Sequence, residues 1–78
     1  MYKPPYRIIL TRHAYRRALQ RGIHSDMIEE VIQQGRMEWF GKNRVKIIKE
    51  YHKATIILVD EKIGNEIHIV TIVKKDWV

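Results

Sequence analysis

Thr11-Arg-His-Ala-Tyr-Arg-Arg-Ala-Leu-Gln-Arg-Gly22 carries both the start and the stop signal of a helix. Thr11 can accept one of the unpaired first-turn amides, so it suits a helix N-cap. Gly22 suits the left-handed residue that closes a helix, and Ile23 just beyond it can pack back onto the last turn. At a helical period Ala14, Tyr15, Ala18 and Leu19 share one face, which predicts that this face is buried. His13, Arg17 and Arg21 recur every four residues along another side. The segment therefore reads as a short amphipathic helix that presents one imidazole and a ladder of guanidinium groups.

Working outward, Tyr6 to Leu10 reads as a short strand, with Pro4 and Pro5 holding the start of the chain extended. On the other side, Ser25 is a second N-cap, followed by Asp26 in the first turn. Met27, Ile28, Val31 and Ile32 make the apolar stripe of a second helix that ends at Gly35. Its outer face carries Glu29, Glu30, Gln33 and Gln34, which would repel phosphate, so this helix reads as scaffold. From Arg36 the period becomes extended. Met37 to Phe40 is a strand, Gly41 to Asn43 a turn, and Arg44 to Tyr51 a strand with Val45 and Ile47 on one side and Arg44, Lys46 and Ile48 on the other. Ala54 to Val59 reads as a central strand covered on both faces. Asp60 to Asn65 reads as a hairpin loop. Glu66 to Lys74 returns as a strand in which strict alternation puts Ile67, Ile69, Thr71 and Val73 on one face and His68, Val70, Ile72 and Lys74 on the other. Lys75 to Val78 reads as a loosely held tail.

The expected fold is thus a two-layer α+β domain, with two N-terminal helices packed on one face of an antiparallel sheet of four to five strands. It forms a single domain over residues 1–78, with its core at about 6–74. A chain of 78 residues leaves no room for a second domain. At 45% apolar and 31% charged residues with four Gly and two Pro, the composition is that of a folded domain. With no cysteine there is neither a disulfide nor a thiolate metal site. No apolar run approaches the roughly 18 residues that span a bilayer, and the first residues lack the apolar core of a signal peptide. The expected location is the cytoplasm, with no membrane partner.

Fifteen Lys and Arg against nine Asp and Glu give a net charge of +6 and a pI near 9.8. Such an excess in so small a domain points to a polyanion, RNA first and DNA second. At the first turn of its helix, His13 is an imidazole that can accept a proton from a hydroxyl. Arg17 and Arg21 can clamp phosphate bidentately and stabilise the added charge of a pentavalent transition state. Arg12, Arg16, Arg44, Lys46 and Lys74 would add backbone contacts, and Thr71 a positioning hydroxyl. Tyr51, His52 and His68 are the remaining proton donors. No two histidines stand four apart, and the histidine has no carboxylate within a helical turn, so no metal or other cofactor is expected. Any phosphodiester cleavage would then use the neighbouring 2′-hydroxyl of RNA as nucleophile.

Thr11-Arg-His13, Arg17, Arg21-Gly22-Ile23 and Ile69-Val-Thr-Ile-Val73 together resemble the bacterial family of the domain of unknown function 4258. The resemblance covers roughly Ile8 to Lys74. In element order that family is similar to the RelE-like and barnase-like ribonuclease toxins. The resemblance implies an active site of His13, Arg17, Arg21 and Thr71 in a metal-independent endoribonuclease of toxin type. Two other readings remain open on the residues: a non-catalytic module that binds the nucleic-acid backbone, and a protein-interaction domain. The latter would pair with an acidic antitoxin-like inhibitor or form a homodimer through a strand edge.

Overall fold

The computed structural model describes residues 2–76, as β1 (Tyr2–Lys3), β2 (Tyr6–Leu10), α1 (Arg12–Gln20), α2 (Ser25–Gln34), β3 (Arg36–Phe40), β4 (Arg44–Glu50), β5 (Ala54–Ile63) and β6 (Glu66–Asp76). The strands form one six-stranded sheet in the order β1-β2-β6-β5-β4-β3. From β3 to β6 the sheet is an antiparallel meander. β2, however, lies parallel to β6, with Ile8 beside Ile67 and Leu10 beside Ile69.

This overturns the expected architecture of two N-terminal helices on an antiparallel sheet of four to five strands. The sheet is mixed and six-stranded, it curls into a half-barrel, and both helices follow two strands. The cause is a pairing between the two ends of the chain. Turn residues and alternation report only on sequence neighbours, so they carry no signal for a strand that returns to the far end. The start of the chain is not held extended either. It reverses at Pro4-Pro5, so that β1 pairs antiparallel with β2.

α1 begins and ends where its sequence says. The Thr11 hydroxyl accepts a hydrogen bond from the Ala14 amide at 3.2 Å and donates one to the Ile69 carbonyl at 2.7 Å. One side chain thereby caps the helix and ties it to β6. At the other end Gly22 has φ of 70°, and the Ile23 amide donates to the Ala18 carbonyl at 2.8 Å. The buried face is narrower than expected. Ala14 and Ala18 are fully buried, whereas Tyr15 and Leu19 stay 40% and 45% exposed. Two alanines let the helix approach β6 closely, and the larger side chains are left at its margins.

α2 buries Ile28, Val31 and Ile32, while Met27 remains at the surface. Its N-cap is His24 rather than Ser25, which is already helical. Gly35 follows α2 because a β-carbon there would collide with the Val31 carbonyl and sit 2.9 Å from that of Ile48. Lys3 from β1 donates to the carbonyls of Ile32 at 2.7 Å and of Gln33 and Gly35 at 3.4 Å, at the negative end of α2. Gln33 in turn donates to the Tyr2 carbonyl at 2.7 Å. Tyr6 of β2 and Trp39 of β3 meet at 5.7 Å between ring centroids, although β6, β5 and β4 separate their strands in the sheet. The two edges of the half-barrel are thus drawn toward each other over its helix side.

The core is this helix side, where Ile8, Val45, Ile47, Ile56, Leu58, Ile67, Ile69 and Ile72 meet the two helices. Two details of β5 and β6 depart from the sequence reading. β5 does not stop at Val59 but runs to Ile63, so Asp60 lies within the strand and is 1% exposed. At Val59/Asp60 the register shifts: Val59 faces Thr71, but Asp60 faces Ile69, which leaves Val70 as an extra residue. This bulge inverts the alternation beyond it. Ile72 therefore turns into the core, and Thr71 and Val73 turn to the opposite face. That face carries no helix, so β5 is covered on one side only. Of the expected tail, Lys75 and Asp76 belong to β6, and Trp77 and Val78 lie outside the described residues.

Candidate nucleic-acid interface

The charge of this chain is segregated. Through residue 25 there are six Lys or Arg and no acid, and from Asp26 onward nine basic residues balance nine acidic ones. The whole excess of +6 thus belongs to the segment that ends at the α1–α2 connection. Two of those six cations are engaged. Lys3 caps α2, and Arg7 lies 3.9 Å from Glu66. The other four, Arg12, Arg16, Arg17 and Arg21, are exposed on α1 or at its C-cap. Among the described residues none of these four forms an ion pair.

His13, Arg16, Arg17 and Gln20 line a shallow concavity of about 300 Å3. These positions are three, four and seven residues apart, so the hollow lies between side chains on a single helix face. It is polar and open, and α1 supplies its whole lining. The structure therefore brings together His13, Arg16 and Arg17, with Arg12 and Arg21 on the same helical segment.

The remaining expected site residues lie elsewhere. Thr71, shifted by the bulge, faces away from the helices beside Val59. Arg44 and Lys46 project from that same uncovered face, opposite Glu61 and Val59 respectively. The Lys46 ammonium sits 5.1 Å from the centroid of the Phe40 ring. Lys74 is on the helix side, 3.5 Å from Asp76, and lines a separate cleft with Gly22, Met27 and Tyr51. The sheet thus separates His13 and the α1 arginines from Thr71, Arg44 and Lys46.

Of the other proton donors, Tyr51 and His68 are engaged, and His52 is exposed in the turn after β4. The Tyr51 hydroxyl donates to Glu30 at 2.8 Å. Burial and then this carboxylate push its pKa up to about 12. His68 is paired with Glu66 at 3.1 Å. Arg36 is held charged by hydrogen bonds to Glu38 at 2.8 Å and Glu50 at 3.4 Å.

Two features escaped the sequence reading. The first is the lysine-flanked cleft at the end of α1, whose parts come from α2, β5, β6 and the β4–β5 turn. No local pattern announces it. The second is Asp60, whose two carboxylate oxygens are buried without a hydrogen-bond partner among the described residues and whose pKa burial pushes up to about 8. Its position in an unbroken strand was hidden by its charge, which reads as a loop.

A two-helix α+β domain with a mixed half-barrel sheet and one cationic helix face is the class that this geometry defines. The chain belongs to the family of the domain of unknown function DUF4258, whose model matches residues 10–77. Among curated proteins and solved structures, none matches it.

Proposed function

We propose that this chain is a nucleic-acid-binding module that grips the phosphate backbone, RNA in the first instance, along the exposed face of α1. The observation that carries this is the charge segregation: four arginines on one helical segment, in no ion pair among the described residues, supply most of the net charge of +6. Guanidinium groups at helical spacing can follow successive phosphates, and each contact releases a condensed counterion. His13 adds a further donor in the same hollow. No helix is long and apolar enough to cross a membrane among the described residues, and we place the module in the cytoplasm, where RNA is the abundant polyanion.

Binding is favoured here over cleavage by the composition of the hollow. A 2′-hydroxyl mechanism needs a base and a second group to protonate the leaving oxygen. Besides His13, the lining offers two arginines and a glutamine, neither a side chain that serves as a general acid. The test is the binding of a labelled single-stranded RNA as potassium chloride is raised from 50 to 200 mM. With about four phosphate contacts the slope of log K against log salt is about −3, an affinity loss of roughly 50-fold. A flat response refutes the proposal. The same samples, held in EDTA and examined for cyclic-phosphate ends, test for cleavage, and such ends would restore the ribonuclease reading.

An acidic protein inhibitor would compete for the same face, and RNA would then displace it. Self-association is favoured by a different observation. The uncovered sheet face has Ile57, Val59, Val70 and Val73 at its centre and Arg44, Lys46, Glu50 and Glu61 around them. An apolar centre with a rim of both signs is complementary to its own copy under two-fold symmetry. Sedimentation of wild type and Val70→Lys checks it. A dimer that the substitution splits is expected, and a monomer at all concentrations refutes it.

A further inference from the structure

The cleft at the C-terminal end of α1 differs in kind from the hollow on its face. It is formed between elements, with a volume of about 230 Å3. Ile23, Met27 and Ile56 give it an apolar wall, and Lys53 and Lys74 stand at its mouth. That is below the roughly 300–1,000 Å3 of sites for drug-sized ligands, and it suits one planar ring. Tyr51 supplies an aromatic surface held by its hydroxyl and by a cation over its ring. Its hydroxyl is bonded to Glu30 at 2.8 Å, and the Lys49 ammonium lies 5.0 Å from its ring centroid. The last guanidinium of the α1 series, Arg21, directly precedes Gly22, which lines the cleft. The cationic helix therefore ends next to the apolar cleft.

We propose that this cleft receives one unstacked nucleobase, so that the ligand of the module is single-stranded nucleic acid. This rests on the backbone-binding reading above. The base lies against Tyr51 and Met27, above the buried Ile56, and the phosphates on either side of it meet Arg21, Lys53 and Lys74. Lys74 is held by Asp76 at 3.5 Å in the free protein and exchanges that exposed partner for phosphate. A paired and stacked base cannot enter, because its faces and its pairing edge are already occupied. The module would thus combine an electrostatic track with one base-sized stop, the arrangement by which proteins hold single strands without reading a sequence.

Fluorescence anisotropy at 50 mM potassium chloride tests this with three ligands: a single-stranded RNA, its duplex, and the same single strand carrying abasic sites. Base–aromatic contact is worth roughly five- to hundredfold in affinity. Wild type is therefore expected to bind the single strand about tenfold or more tighter than the duplex or the abasic strand. Met27→Glu puts a carboxylate in the cleft at a first-turn helix position that favours acids, so the fold is retained. It should abolish the preference for the single strand, lowering that affinity to near the duplex value. Lys53→Ala, in an exposed turn, should weaken the single strand more than the duplex. Equal binding of all three ligands, or a Met27→Glu variant that keeps the preference, overturns the cleft proposal and leaves backbone binding intact. Salt-insensitive binding, or none to any ligand, overturns both.

Discussion

Asp60 should set the pH dependence of this protein's stability. Its carboxyl is 1% exposed, has no hydrogen-bond partner among the described residues and has its pKa raised by burial from 3.8 to about 8. In the folded chain it is therefore protonated at neutral pH, whereas in the unfolded chain it ionises near its ordinary value. Between these two values the folded state binds more protons than the unfolded one, so this group makes stability fall as pH rises. Below the unfolded value it exerts no penalty, and above about 8 the penalty is complete. Each pH unit within the window costs up to about 1.4 kcal/mol, so moving from pH 5 to pH 8 removes about 4 kcal/mol at most. Asp60→Asn keeps the shape and cannot ionise. Its amide is also unpaired, which itself costs about 1–3 kcal/mol at every pH. The variant is thus expected to be no more stable than wild type at pH 5, to be more stable at pH 8, and to lose most of the dependence between them. Urea unfolding followed by tryptophan fluorescence at the two pH values measures this. For a domain this small, 1 kcal/mol also moves the melting temperature by about 4–8 °C. Parallel pH dependences for wild type and variant would mean that Asp60 is solvated or paired, and that its burial sets no pH dependence.

Arg16→Ala and Arg17→Ala should each make the salt slope of RNA binding shallower by about 0.7, without altering thermal stability, because both side chains are exposed. Thr11→Val removes an N-cap acceptor and the bond to the Ile69 carbonyl, and should cost about 1–3 kcal/mol in urea unfolding. Lys3→Met leaves the last carbonyls of α2 uncapped, and amide exchange should quicken in its final turn. Gly35→Ala should destabilise more than Gly22→Ala. At Gly35 the added carbon meets the Val31 and Ile48 carbonyls, whereas at Gly22 it finds open space and only the left-handed backbone, a cost of about 1–2 kcal/mol.

The features legible in the chain of residues alone are local. Thr11 and Gly22 bound α1 because capping and left-handed closure are chemistry of a few neighbouring residues. Gly41 and Gly64 mark turns of the meander for the same reason, both having positive φ. The cationic helix face was legible because four-residue spacing puts side chains on one side of any helix. Only the tertiary structure decided the rest. β2 lies beside β6 because Ile8 and Ile67 are both buried in that arrangement, a gain that no local pattern encodes. A single extra residue at Val70 turns Thr71 out and Ile72 in, since burying the isoleucine outweighs strict alternation. It separates Thr71 from His13, and with it the strand hydroxyl from the helix imidazole. Asp60 is buried because its neighbours in the sheet are, and the long-range burial of apolar surface outweighs the preference of one carboxylate for water.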